Sequence, residues 1–224
     1  MGPEPVFGVR HTMTTRLASM RRVVDIQKCS GFRVLEVGSY EGASALAWSQ
    51  AVAELCGGGI VLCIDPWRPY VTAENILAQP ICQKINDDLE SGMVFDRFVS
   101  NIKLAPVSAP ISYMVGTLWS SYIQLPLRSF DVVYIDGDHV YDQVRQDIIL
   151  GQDLVKVGGI LCGDDLERQL KDCDLEQVKA WKNLDWMGYH PGVTLAVGEI
   201  FNIVWVEDGF WAMRKTATGW EPFA

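Results

Sequence analysis

The sequence predicts an α/β protein built on a doubly wound, mostly parallel seven-stranded sheet in the order 3-2-1-4-5-7-6, with helices on both faces and a C-terminal antiparallel hairpin. Three observations predict it. Short apolar runs enriched in β-branched residues recur at Arg33 to Val37, Ile60 to Ile64, Asp131 to Ile135 and Gly159 to Cys162, with helical pattern between them. These runs are apolar throughout instead of alternating, as in parallel strands covered on both faces. Near the end, Ile203 to Val206 and Phe210 to Met213 flank Glu207-Asp208-Gly209, where Asp-Gly supplies the positive φ of a tight hairpin turn.

Residues 1–30 read as an N-terminal helical segment covering the site, and residues 31–224 as a single domain. Ala43 to Leu55 has the Ala and Leu content of a helix and stops at Gly57-Gly58-Gly59. Residues 66–92, interrupted by Pro66, Pro69 and Pro80, read as a loop and lid beside the site. Helical pattern resumes at Val94 to Leu104, a weaker strand is expected at Ile111 to Val115, and Val140 to Val155 forms the next helix, stopping at Gly158-Gly159.

The chain has 224 residues and is 49% hydrophobic, enough to bury a sizeable core. A net charge of −9 argues against a nucleic-acid partner, which needs a basic face. The basic cluster Arg16, Arg21, Arg22 and Lys28 is taken as a solvated helix face. The six cysteines are scattered, with no CxxC pair, so free thiols in a reducing compartment are expected instead of a disulfide framework. No apolar stretch has the length of a signal region or a membrane span. The expected place is the cytoplasm, with no membrane partner.

Glu36-Val37-Gly38-Ser39-Tyr40-Glu41-Gly42 follows the first strand and opens a helix, the context in which a glycine turn points to a nucleotide. Gly38 lets the backbone approach a ligand and Gly42 lets the helix pack on the strand. The spacing is GxxxG, not the GxGxxG of a dinucleotide site. Glu36 is awkward beside a phosphate but suits the ammonium or sulfonium charge of S-adenosylmethionine. Asp65, at the end of the second strand, stands where such folds hold ribose hydroxyls, with helix capping as the alternative. Trp67 reads either as a wall for adenine or as a partly buried loop residue.

Asp136-Gly137-Asp138-His139 ends the fourth strand and Asp164-Asp165 the fifth. In the predicted order these ends are neighbours, so Asp136, Asp164 and Asp165 converge and call for a cation. All-oxygen ligation favours Mg²⁺. An ion there lowers the pKa of a substrate hydroxyl and holds its oxygen in line with a methyl donor. His139 is a candidate general base near neutral pH. Capping of helices by the acids, and a ring tied into its turn for His139, are the alternatives.

LEVGSYEGAS, IDP at 64–66, FDVVYIDGDHVYDQVRQDI and LVKVGGILCGDD together resemble class I S-adenosylmethionine-dependent O-methyltransferases, most closely the group whose fourth strand ends in IDGDH. The likeness spans about Gly31 to Phe201 and implies a Rossmann-like methyltransferase domain. It is similar to the catechol and caffeoyl-coenzyme A enzymes in metal-site pattern, implying Asp136, Asp164 and Asp165 as ligands at a separation of 164 − 136 = 28 residues. Asp165 stands where those enzymes carry asparagine, and His139 where they carry a lysine base. The resemblance further implies Gly38, Tyr40 and Ser44 around the methionine moiety, Pro66 beside Asp65, and Gly116, Thr117 and Trp119 near the adenine. The segment His190 to Val193 resembles one that starts a late helix in the IDGDH group, which implies a place in the acceptor pocket, but His190 before Pro191 reads first as a helix-entry residue.

The expected activity is therefore methyl transfer to a hydroxyl oxygen of a small molecule, a sugar or a secondary metabolite. The alternatives are an NAD-dependent oxidoreductase, against which the missing GxGxxG counts, and a non-catalytic cofactor-binding module. Homo-oligomer formation stays open.

Overall fold

In a computed structural model that describes residues 14–184 and 188–223, the parallel strands are β1 (Phe32–Val37), β2 (Gly59–Asp65), β3 (Ile111–Val115), β4 (Phe130–Ile135) and β5 (Val155–Gly163). They are followed by β6 (Trp205–Glu207), β7 (Phe210–Lys215) and β8 (Trp220–Pro222). The sheet runs β3-β2-β1-β4-β5-β7-β6, as expected, with β7 antiparallel to β5 and β6. Among the described residues it has eight strands, not the expected seven, because β8 adds to β7 through Met213 to Lys215.

Each central strand divides its residues between two cores, as its pleat requires. Val34, Val132, Tyr134 and Ile160 join one core with α1 (Thr14–Gln27) and α2 (Ala43–Cys56). Leu35, Val133, Ile135 and Leu161 join the other, under α7 (Tyr141–Leu154) and α9 (Pro191–Phe201). Two buried faces explain why the runs are apolar without alternation.

Two expectations fail for local reasons. Residues 66–92 are not an irregular loop but carry α3 (Ala73–Ala78), a 3₁₀ turn at Pro80–Cys82 and α4 (Gln83–Glu90), ahead of α5 (Met93–Asn101). Pro66 and Pro69 precede α3, Pro80 opens the 3₁₀ turn, and the side chain of Thr72 caps α3. At the other side of the sheet, α7 ends at Leu154 and β5 begins four residues before the expected Gly159. The residue pairing with β4 shifts between Phe130 and Val132, so Gly158, at φ 84°, sits in an irregularity inside the strand instead of ending a helix. The remaining helices are the short α6 (Leu118–Ser121) and α8 (Leu175–Trp181).

Among the described residues no helix is long and apolar enough to cross a membrane. No disulfide joins the six cysteines.

Candidate active site

The carboxyl ends of β1, β2, β3, β4 and β5 open on one cleft of about 460 Å³, within the range of a small-molecule site. The crossover connections bring the expected residues to this edge. Gly38, Tyr40 and Ser44 come from the turn after β1, Asp65 and Pro66 from the end of β2, and Gly116 and Thr117 from the end of β3. Asp136, His139, Asp164 and Asp165 complete the wall from the ends of β4 and β5. Glu36, Gly42 and Trp119 do not line the cleft, and Trp119 stands 64% exposed outside it.

The glycine turn is held by Asp65. Its Oδ2 accepts from the backbone N–H groups of Ser39 at 2.8 Å and Tyr40 at 3.0 Å, and its Oδ1 from Trp67 N–H at 2.6 Å. Burial pushes the Asp65 carboxyl up, against the pull of these three donors. The acid thus braces the turn while lining the cleft. Gly38, at φ 83°, is demanded by its neighbour: a Cβ there would meet the Asp136 carbonyl oxygen at 2.1 Å. Gly42, at φ 88°, precedes α2, and a Cβ on it would press on the Phe98 ring at 3.1 Å, so it serves packing on α5.

Glu36 is fully buried next to this turn, and among the described residues neither of its oxygens has a hydrogen-bond partner. Burial pushes its carboxyl up to about 8, despite the nearby Ser39 and Ser44 hydroxyls, which favour the charged form. Trp67 belongs to the core: it packs on Phe95, Phe98 and Tyr113, and its indole N–H donates to the Tyr40 carbonyl at 2.8 Å.

At the far end the acids and their partners form one network. The Tyr134 hydroxyl donates to Asp136 Oδ2 at 3.0 Å and reaches Asp164 Oδ2 at 3.4 Å. Arg16, on the first turn of α1, places Nε 2.7 Å from Asp164 Oδ1 and Nη2 3.1 Å from Asp165 Oδ1. It is therefore not part of a solvated face, and sequence reasoning missed it. Arg21 does pair at the surface, with Glu54. His139 Nε2 lies 2.9 Å from Asp165 Oδ2. His190, the N-cap of α9 as expected, lies with Nδ1 2.9 Å from Glu167 Oε1 and 3.8 Å from Asp165 Oδ1.

Burial, reinforced by Asp164 and Asp165, pushes Asp136 well above the usual carboxylate range. Burial and the neighbouring Asp165 push Asp164 up to about 7. Asp165 goes the other way: burial opposes its charge, but the His139 contact, His190 and Arg16 hold it below its ordinary value. The carboxylate oxygens of Asp136, Asp164 and Asp165 are of the hard type that a divalent ion would take. Among the described residues, the group of three ligand-type side chains with atoms within 4.8 Å of one another is His139, Asp165 and His190, and not the expected Asp136, Asp164 and Asp165. Asp165 is thus drawn toward two imidazoles, while Tyr134 bridges Asp136 and Asp164.

Known proteins agree with this architecture. The sequence matches the family model described as a methyltransferase domain over residues 35–166, more than half of the chain. No curated protein matches it significantly. Among solved structures, it is similar to the O-methyltransferase TomG of Streptomyces achromogenes, in complex with S-adenosylmethionine. That likeness has a TM-score of 0.60 at 14% identity over 92% of this chain and 82% of that one. NovP, an O-methyltransferase, gives 0.59 at 18% identity over 90% and 80%. The Bacillus cereus O-methyltransferase, in complex with its SAH ligand, gives 0.50 at 16% over 91% and 80%. At these identities the structural likeness speaks for the fold, and the family model for membership: the chain belongs to the methyltransferase-domain family.

Proposed function

We propose that the protein is an S-adenosylmethionine-dependent O-methyltransferase acting on a hydroxyl of a small molecule, a sugar or a secondary metabolite, in the cytoplasm. The observation that carries the reading is one cleft with a braced glycine turn at one end and a buried acidic cluster at the other. Membership of the methyltransferase-domain family supports it, as do the ligands named for the similar O-methyltransferases.

S-adenosylmethionine would supply an electrophilic methyl on sulfur, and Asp136, Asp164 and Asp165 would hold a divalent ion such as Mg²⁺, which would make the acceptor hydroxyl more acidic. The chain's own residues do the rest. Gly38, Tyr40 and Ser44 receive the methionine moiety; Asp65 and Pro66 the ribose; Gly116 and Thr117 the adenine. Glu36 acts from behind the turn, as a buried carboxyl that favours the positive end of the ligand. Gly42 shapes the turn, and Trp119, next to Leu118 in the wall, borders the adenine end. His139 takes the acceptor proton, and Asp165 on its Nε2 stabilises the imidazolium that results. Alignment of the acceptor oxygen with the methyl is the main source of rate.

Thermal melting with S-adenosylhomocysteine, NAD and Mg²⁺, each alone and after chelation, tests the reading. Stabilisation by the adenosyl ligand and further stabilisation by Mg²⁺ are expected. Stabilisation by NAD but not by S-adenosylhomocysteine would sink it.

A further inference from the structure

The sheet-facing stripe of α7 is apolar at Val144 and Ile148, and Asp147 lies between them, 3% exposed. Its Oδ2 accepts from Gln143 Nε2 at 3.0 Å. Its Oδ1 is buried and has no hydrogen-bond partner among the described residues. An acid inside an apolar stripe, half satisfied, is costly unless something else supplies a donor. Nothing in the chemistry assigned to the glycine turn or the acidic cluster uses it.

Asp147 and Gln143 both line the cleft, as do Thr117 and Leu118 at the end of β3. α7 packs on α6 there, so the two pairs belong to one stretch of wall. The sheet order fixes what faces that stretch. β1, β2 and β3 are consecutive neighbours. A ligand with its amino-acid end at the turn after β1 and its ribose at Asp65 of β2 extends its base toward the turn after β3. An adenine presents one hydrogen-bond donor group on its edge, the 6-amino group; a 6-oxo purine presents an acceptor at the same place.

We propose that Asp147 reads the 6-amino group of the adenosyl cofactor, accepting its N–H at Oδ1, while Gln143 holds the carboxyl through Oδ2. The inference rests on the S-adenosylmethionine reading above. It makes α7 a source of base specificity, because a 6-oxo base would set one acceptor against another.

Direct titration of the full chain with S-adenosylhomocysteine, its 6-oxo counterpart S-inosylhomocysteine and its N6,N6-dimethyl derivative tests the proposal. The wild-type protein is expected to bind the first on the order of 10- to 100-fold more tightly than either analogue. Asp147→Asn should bring the 6-oxo compound to within about threefold of S-adenosylhomocysteine, since an amide can also donate. Gln143→Leu should narrow the same ratio. Wild-type protein that binds all three equally, or Asp147→Asn with an unchanged ratio, overturns the proposal. The wild-type comparison stands by itself if the variant does not fold. Wild-type protein that binds none of the three defeats the cofactor reading and the proposal with it, an outcome distinct from equal binding.

Discussion

Arg16 Nε lies 2.7 Å from Asp164 Oδ1, joining the first turn of the N-terminal helix to the end of β5. Burial works against the guanidinium's charge, but Asp164 and Asp165 outweigh it and push its pKa up. Arg16 therefore supplies part of the positive charge that the buried acids need. Arg16→Met should lower stability by about 1–3 kcal/mol, because Asp164 loses a charged partner. Added Mg²⁺ should restore more of the melting temperature in the variant than it adds to wild type. Equal Mg²⁺ effects on both proteins would separate Arg16 from the ion's place.

The buried carboxyls give stability a definite pH dependence. Glu36 is pushed up to about 8 from an ordinary 4.5, chiefly by burial. Its folded form keeps a proton that the unfolded chain releases, so its contribution is full below about 4.5 and is lost as pH rises through about 8. Asp147, pushed up to about 7 from 3.8 by burial, has the same sign. Urea midpoints should therefore be higher near pH 6 than at about pH 9. Glu36→Gln should flatten this dependence and stabilise the protein at the alkaline end. A wild-type midpoint that climbs over this interval would refute the protonated Glu36.

Gly38 and Gly31 separate crowding from backbone strain. Both have positive φ, 83° and 68°. A Cβ on Gly31 meets no atom within 4 Å, whereas one on Gly38 collides with the Asp136 carbonyl. Gly31→Ala should cost about 1 kcal/mol, the strain alone. Gly38→Ala must also part β1 from the β4 turn, so it should lose several-fold more, about 3 kcal/mol or above. Denaturant unfolding of the two variants checks the contrast; equal losses would mean that the turn has room to move.

The sheet was legible because its evidence is local. Four apolar runs, the glycine stops and Asp208-Gly209 each act within a few residues of chain. The acid ends of β4 and β5 followed from strand order, which places Asp136 beside Asp164 without any knowledge of packing. What stayed hidden depends on distant partners. Arg16 meets Asp165 across 149 residues of chain and looks in sequence like any solvated helix charge. Asp147 would normally count as a surface residue at helical spacing; its signal was its place between Val144 and Ile148, an acid in the apolar stripe. Trp67, read as a wall for adenine or a partly buried loop residue, packs in the core, while Trp119, which the resemblance put near the adenine, is 64% exposed, and Glu36 is fully buried outside the cleft lining. β8 was too short and too proline-marked to show a strand period.

The proton-transfer role proposed for His139 rests on geometry: its Nε2 lies 2.9 Å from Asp165 Oδ2, and the residue lines the cleft with Asp136. A base anchored by a carboxylate is oriented and becomes a stronger acceptor, so two variants should separate the parts. His139→Ala should lower kcat by about 100-fold or more on a hydroxyl acceptor, with little change in S-adenosylhomocysteine affinity. His139→Gln should also be slow, since it keeps polarity at the position but accepts no proton at neutral pH. Steady-state rates beside ligand titration measure both effects. A His139→Ala enzyme that keeps the wild-type rate would leave orientation and the acidic cluster to carry the reaction, because methyl displacement can proceed from a hydroxyl whose proton departs to water.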